Sequence, residues 1–173
     1  IYQEELIRIN CVDFGDLILL CIKLFRENDD LKLYYQNLFH YILVDEYQDI
    51  NFIQQKWLEF LYQGHQNICC VGDDDQSIYS WRGADVTNLL EFKKNFKNPN
   101  IIRLEQNYRS TKNILKCAST LIDKNKNRYG KKLWSENEIG EKIIINGFWE
   151  TKEEAIYTTD QIEMLVSRKI ELS

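Results

Sequence analysis

Apolar residues along this chain follow two alternating patterns: stretches spaced by three and four, and short unbroken runs that stop at charged residues. In DFGDLILLCIKLF, Phe14, Leu17, Ile18, Cys21, Ile22 and Phe25 recur at helical spacing, and Asp13 is placed to cap the start. A second short helix is expected over Leu31 to Phe39. The run Tyr41 to Val44 reads as a strand and ends in Asp45 and Glu46. A helix should follow, opened by Asn51 with Gln54 three residues on in a capping-box arrangement and stopped near Gly64, with Ile53, Trp57, Phe60 and Leu61 inward. Ile68 to Val71 reads as a second strand, and GDDDQSIYSWRG after it as a polar loop. A helix is expected from Asp85, with Val86, Leu89, Leu90 and Phe96 inward, ending at Asn98 and Pro99.

The same alternation continues through the second half. Ile101 to Leu104 is a third apolar run, followed by EQNYRS, a helix from about Thr111 to Ile122 and a basic loop, KNKNRYGKK. Lys142 to Phe148 reads as a fourth strand, and an amphipathic helix with Ala155, Ile156, Ile162 and Leu165 inward closes the chain. Strands alternating with helices predict an α/β fold with a parallel sheet. In such sheets ligands bind beyond the carboxyl ends of the strands, so the tips at Asp45–Glu46 and Gly72–Asp73 are expected to converge on one site.

Composition narrows the class. With 173 residues and 44% apolar content the chain can bury a globular core. No apolar run approaches the ~18 residues of a membrane span. The opening IYQEELIRIN has neither an initiator Met nor a secretion-signal layout, so the chain reads as an internal piece of a cytoplasmic protein. Cys11, Cys21, Cys69, Cys70 and Cys117 show no CxxC spacing and are expected to be buried thiols; His40 and His65 have no partner at ligand spacing. Charge is segregated: residues 93 to 132 hold 12 Lys and Arg against 2 Asp and Glu, whereas residues 1 to 92 hold 6 against 16. Such a basic block is either a solvated surface or a wall facing phosphate.

The chemistry suggested by the tips is that of phosphate. Of two adjacent acids at a strand end, one can hold Mg²⁺ and the other can orient or deprotonate water, which fits Asp45 and Glu46 in that order. Gln76 lies in the loop after the second strand, where a carboxamide can sense a γ-phosphate. Tyr79 and Trp81 beside Arg82 can either fold into the core or form a stacking platform for single-stranded bases. Tyr108 can stack on adenine, and the guanidinium of Arg109 can either form a structural ion pair or stabilise charge on a transferring phosphoryl group.

Taken together, VDEYQD at Val44 to Asp49, VGDDDQSIYSWRGAD at Val71 to Asp85 and LEQNYRST at Leu104 to Thr111 resemble the second, third and fourth motifs of the UvrD/Rep/PcrA helicases of superfamily one. VDFGDLI near the start resembles the DFDDL segment of those enzymes. The resemblance implies parallel-sheet RecA-like (P-loop NTPase-type) lobes, incomplete at both ends. Residues 1–40 would lead into the first lobe, 41–99 would be the later part of it, and 100–173 would begin the second. It implies ATP and Mg²⁺ as cofactors, single-stranded or partly duplex DNA as partner, and 3′ to 5′ movement in repair or replication, with proteins of those processes as further partners.

By residue, the resemblance gives Asp45 the metal, Glu46 the water, and Gln76 the γ-phosphate and its link to DNA. Trp81 would stack on a base with Tyr79 and Arg82 near the strand. Tyr108 would stack on adenine and Arg109 would reach the γ-phosphate. Tyr47 stands where the family usually has Phe, Ile50 where it has Thr, and Gly15 where it has Asp. No GxxxxGK[ST] phosphate loop occurs in the 173 residues, so the chain alone is expected to be inactive. Two other readings are a non-enzymatic remnant that binds DNA or a partner without ATP turnover, and a metal-dependent nuclease using Asp45, Glu46 and Asp73.

Overall fold

A computed structural model of the chain describes residues 1–126 and 128–168. Two compact units result: Ile1–Glu105 with Leu121–Lys132, and Gln106–Thr120 with Leu133–Ser173. The architecture is mixed α/β with a small parallel sheet.

In the first unit, α1 (Tyr2–Arg8), α2 (Phe14–Glu27) and α3 (Asp29–Leu38) precede β1 (Ile42–Val44), and α4 (Phe52–His65) carries the chain to β2 (Ile68–Cys70). Both expected caps form. The Asp13 carboxylate accepts the Asp16 N–H at 2.8 Å and Asp16 accepts the Asp13 N–H at 3.2 Å, while Asn51 and Gln54 exchange the same pair of bonds at 2.9 and 2.8 Å. Gly64 is not the stop: α4 runs to His65 and Gln66 takes the left-handed turn. A Cβ at Gly64 would stand 2.7 Å from the Gln36 Cβ, so this glycine permits the close approach of α3 to α4. The Gln36 carboxamide, itself buried, donates to the Phe60 carbonyl across the same contact at 2.5 Å.

β1 and β2 pair in parallel, Ile42 opposite Ile68, Leu43 opposite Cys69 and Val44 opposite Cys70. One face covers a core of Tyr47, Leu58 and Phe96, around which Trp57, Tyr62 and Phe92 pack. The helix expected from Asp85 is two short pieces, α5 (Thr87–Leu90) and α6 (Phe92–Asn95), and both Phe92 and Phe96 beyond the break meet the Tyr47 ring. The other face of the sheet is open, which corrects the expectation of buried thiols: Cys69 there is exposed, as are Cys11, Cys21 and Cys117, and Cys70 is half-buried. Burial pushes the Cys70 thiol up to about 12.

In the second unit, α7 (Lys112–Ile122) and α8 (Thr151–Ser167) are the regular elements, the last two residues of α7 falling in the first unit, and Gln106 forms an isolated parallel bridge with Trp134. The apolar runs Ile101 to Leu104 and Lys142 to Phe148 are not strands. No described segment forms a ladder beside them, and Ile102, Leu104, Ile144 and Ile145 are exposed. No helix of the described residues is long and apolar enough to cross a membrane.

Candidate functional site

The parallel register of β1 and β2 brings their carboxyl ends to one edge, and the backbone continues the pairing past the last ladder residue. The Val71 N–H donates to the Val44 carbonyl at 2.8 Å, and the Tyr47 N–H donates to the Val71 carbonyl at 2.9 Å. Between these bonds the chain turns through Asp45 and Glu46, both exposed. The turn is sharp because Glu46 adopts left-handed backbone, with φ +50°, before a single 3-10 turn over Tyr47–Asp49. Asp45 closes the corner by accepting the Glu46 N–H on Oδ1 at 2.9 Å. Its Oδ2 has no protein partner among the described residues.

The second tip is tied to the first by a side chain that hydrophobic patterning passes over. Gln48, only 1% exposed, donates from Nε2 to Glu46 Oε2 at 2.6 Å and accepts the Asp73 N–H on Oε1 at 2.9 Å. Gly72 leaves room for it, since a Cβ there would lie 3.0 Å from Gln48 Oε1 and 3.3 Å from the Tyr47 Cβ. Asp73 in turn accepts the Gln76 carboxamide at 2.7 Å on Oδ2 and the Asp75 N–H at 3.0 Å on Oδ1. Glu46, Gln48, Asp73 and Gln76 thus form one continuous hydrogen-bonded line along the edge.

Part of the basic block closes over this loop. Arg128 grips Asp75 with two bonds, Nε to Oδ1 at 2.8 Å and Nη2 to Oδ2 at 2.7 Å, and reaches Asp123 with Nη1 at 2.7 Å. Lys131 bonds Asp73 and stands 3.6 Å from Asp75, and the Tyr129 N–H donates to Asp74 at 2.7 Å. Arg128 and Lys131 are therefore engaged by the acidic loop. Burial works to raise the Asp73 carboxyl, but the bonds from Lys131 and Gln76 outweigh it and hold its pKa below the ordinary carboxylate range. Carboxylate oxygens of Asp73, Asp74 and Asp75 come within 4.8 Å of one another, yet with these cations on Asp73 and Asp75 the trio is an ion-paired cluster. Asp45 differs: an exposed hard oxygen with no cation on it among the described residues suits Mg²⁺, which takes one or two protein carboxylates and keeps most of its water.

Beyond Gln76 the chain reaches a 3-10 turn, Ser80–Arg82, closed by Gly83 in left-handed backbone at φ +85°. Trp81 is 73% exposed and Tyr79 37% exposed, so neither aromatic folds into the core. The Arg82 guanidinium sits 4.6 Å from the Trp81 ring centre and 5.4 Å from that of Tyr79, a cation–π arrangement that holds the group together at the surface. The loop then returns to the first tip. Ala84 bridges Asn51, and the Asp85 N–H donates to the Ile50 carbonyl at 3.0 Å.

Tyr108 and Arg109 belong to the second unit, where both are exposed. Three polar residues unnoticed in the sequence build their loop. Asn107 Oδ1 accepts the N–H groups of Arg109 and Ser110 at 3.0 and 2.8 Å, the pattern of an Asx turn. Asn137 donates to the carbonyls of Tyr108 and Ser110, and Ser135 Oγ also donates to Ser110. The Tyr108 hydroxyl donates to Gln106 at 2.7 Å, and the guanidinium of Arg109 is in no ion pair among the described residues. The Asn-Tyr-Arg order places its signal in Asn107, whose side chain shapes the turn that displays the next two residues.

Known proteins share these segments. Residues 1–97 match the UvrD/REP helicase N-terminal domain and residues 102–173 the UvrD-like helicase C-terminal domain. DNA helicase II of Rickettsia typhi is 52% identical over 165 residues, which is 95% of this chain and 25% of that protein. The ATP-dependent DNA helicase PcrA of Bacillus subtilis is 51% identical over 142 residues, 82% of this chain and 19% of that protein, and PcrA of Staphylococcus aureus is 47% identical over 161 residues. The chain spans about a quarter or less of the length of these relatives. With its first 97 residues, more than half its length, matched to one domain and most of the remainder to the next, the chain belongs to the UvrD/REP helicase family.

Proposed function

We propose that this chain is the central part of an ATP-dependent DNA helicase that moves 3′ to 5′ on single-stranded DNA in repair or replication. In this reading residues 41–99 belong to the first RecA-like lobe and residues 100–173 begin the second. The observation that carries the reading is the line Glu46–Gln48–Asp73–Gln76, because it joins a water-activating group to a phosphate-sensing group along one strand edge.

Asp45 would hold Mg²⁺, which when bound neutralises charge on the β- and γ-phosphate oxygens of ATP. Glu46 accepts a proton from the attacking water as its oxygen bonds to the γ-phosphorus and the bond from that phosphorus to the β,γ-bridging oxygen breaks, releasing ADP, and Gln76 contacts the γ-phosphate. Tyr108 stacks on adenine and Arg109 offers its guanidinium to the charge developing on the transferred group. Trp81, with Tyr79 and Arg82 beside it, stacks on a base of the single strand. Since Gln76 and the Tyr79–Arg82 group lie six or fewer residues apart on one loop pinned at both ends, a change at the phosphate is felt at the base-stacking surface.

Two measurements test this. In the full-length protein that carries this chain, Glu46→Gln should lower DNA-stimulated ATP turnover by about 10²- to 10⁴-fold while ATP still binds. Wild-type turnover would remove Glu46 from the chemistry. The 173-residue chain alone, with no GxxxxGK[ST] loop, should show no DNA-stimulated turnover, and robust hydrolysis by it would sink the assignment of the phosphate cradle to residues outside it.

A further inference from the structure

We infer that Gln48 is a positioning residue that aims the Glu46 carboxylate and ties it to the Gln76 loop; the inference rests on the nucleotide reading above. Three observations converge on this side chain. It is essentially fully buried, although it lies two residues from an exposed acid and is polar at both ends. Each end is used, and each serves a different tip: Nε2 donates to the Glu46 side chain and Oε1 accepts the backbone N–H of Asp73. The glycine at residue 72 gives it room, since a Cβ built there would crowd Gln48 Oε1 at 3.0 Å.

The chemistry of a carboxamide explains why this position takes Gln. Glu46 stands on left-handed backbone at an exposed corner, and its carboxylate would otherwise sample several rotamers. A donor fixed by burial selects one of them. An amide side chain offers, from two separate atoms, a donor to the carboxylate and an acceptor to the Asp73 N–H at the same time. Because Asp73 also holds Gln76, a shift of the Gln76 carboxamide toward a ligand pulls on Asp73, then Gln48, then Glu46. Gln48 is thus the sole side chain on this line that bonds to both tips, and it links the group that reads phosphate to the group that prepares water.

The test uses two variants of the full-length protein carrying this chain. Gln48→Glu keeps the length of the side chain and the acceptor for Asp73 but sets an oxygen against Glu46. Gln48→Met fills the same buried volume without polar atoms and decides the case if the Glu variant does not fold. Both should lower the kcat of DNA-stimulated ATP hydrolysis by about tenfold or more, with KM for ATP and affinity for a single-stranded oligonucleotide within about threefold of wild type. A folded variant with kcat within about twofold of wild type overturns the inference, as does a parallel loss of kcat and of both affinities, which would indicate general disruption. Glu46→Gln run alongside separates the failures: if it turns over normally the nucleotide reading has failed, and if it is inactive while the Gln48 variants are normal only the positioning role has failed.

Discussion

Replacing Tyr47 by Phe removes a single oxygen from beneath the acidic edge. That oxygen is completely buried and donates to Gln55 Oε1 at 2.7 Å, and Gln55 is itself buried on α4. Burial is the main reason the phenol pKa lies well above its ordinary value, so the hydroxyl is a fixed donor at any working pH. With Phe in place, Gln55 Oε1 loses its one donor in a site closed to water. An unsatisfied buried acceptor costs about 1–3 kcal/mol, more than the net ~1 kcal/mol of an ordinary hydrogen bond. The chain should therefore unfold in urea at a lower midpoint with an unchanged slope, and melt roughly 2–4 °C lower per kcal/mol lost. Adding Gln55→Leu removes the stranded acceptor, so the double variant should recover most of the loss and the cycle should return about 1–2 kcal/mol of coupling. A midpoint unchanged in Tyr47→Phe, or a double variant at the additive sum of the singles, would refute the reasoning. The resemblance has Phe at this position, and the bond to Gln55 is what the additional oxygen supplies here.

Other outcomes are expected from the loop and the second unit. Lys131→Met should destabilise the chain near neutral pH, and the gap from wild type should close in acid. The lowered Asp73 pKa means its contribution is full above the ordinary carboxylate value and disappears as pH falls through the folded value, so a gap independent of pH in thermal melts would count against the pair. Trp81→Ala in the full-length protein should weaken single-strand binding by about 1–3 kcal/mol and uncouple ATP use from unwinding; unchanged affinity in a fluorescence titration would remove Trp81 from the DNA surface. Arg109→Ala should reduce turnover by about 10³-fold or more with ATP binding partly kept, and a normal kcat would refute the phosphate role.

Features set by neighbours in sequence were legible before any coordinates. The Asp13–Asp16 and Asn51–Gln54 caps need only the residues three positions on, and both form. The apolar runs at Ile42–Val44 and Ile68–Cys70 become strands because each finds the other. Ile101 to Leu104 and Lys142 to Phe148 have equally good strand composition and pair with nothing described, since a ladder depends on a partner far away in sequence. Gln48 and Gln55 escaped notice for a different reason: a reading that sorts residues by hydropathy places glutamine on the surface, whereas here each is buried by the bonds it makes. Charge counts left Arg128 and Lys131 undecided between solvent and phosphate, and their partners lie 53 and 58 residues away in the acidic loop. The sequence named Glu46 and Gln76 as candidates but not the hydrogen bonds through Gln48 and Asp73 that join them.

Under the proposed role of Glu46, its left-handed backbone sets folding against chemistry at one position. A residue with a Cβ is held there at about 1–2 kcal/mol above ordinary backbone, whereas glycine would sit there freely. Selection for a sturdier protein would thus replace this glutamate, and selection for turnover would retain it. Position 46 is accordingly where glycine would relieve backbone strain, and if Glu46 activates water as proposed, a variant selected there for thermal resistance would lose turnover.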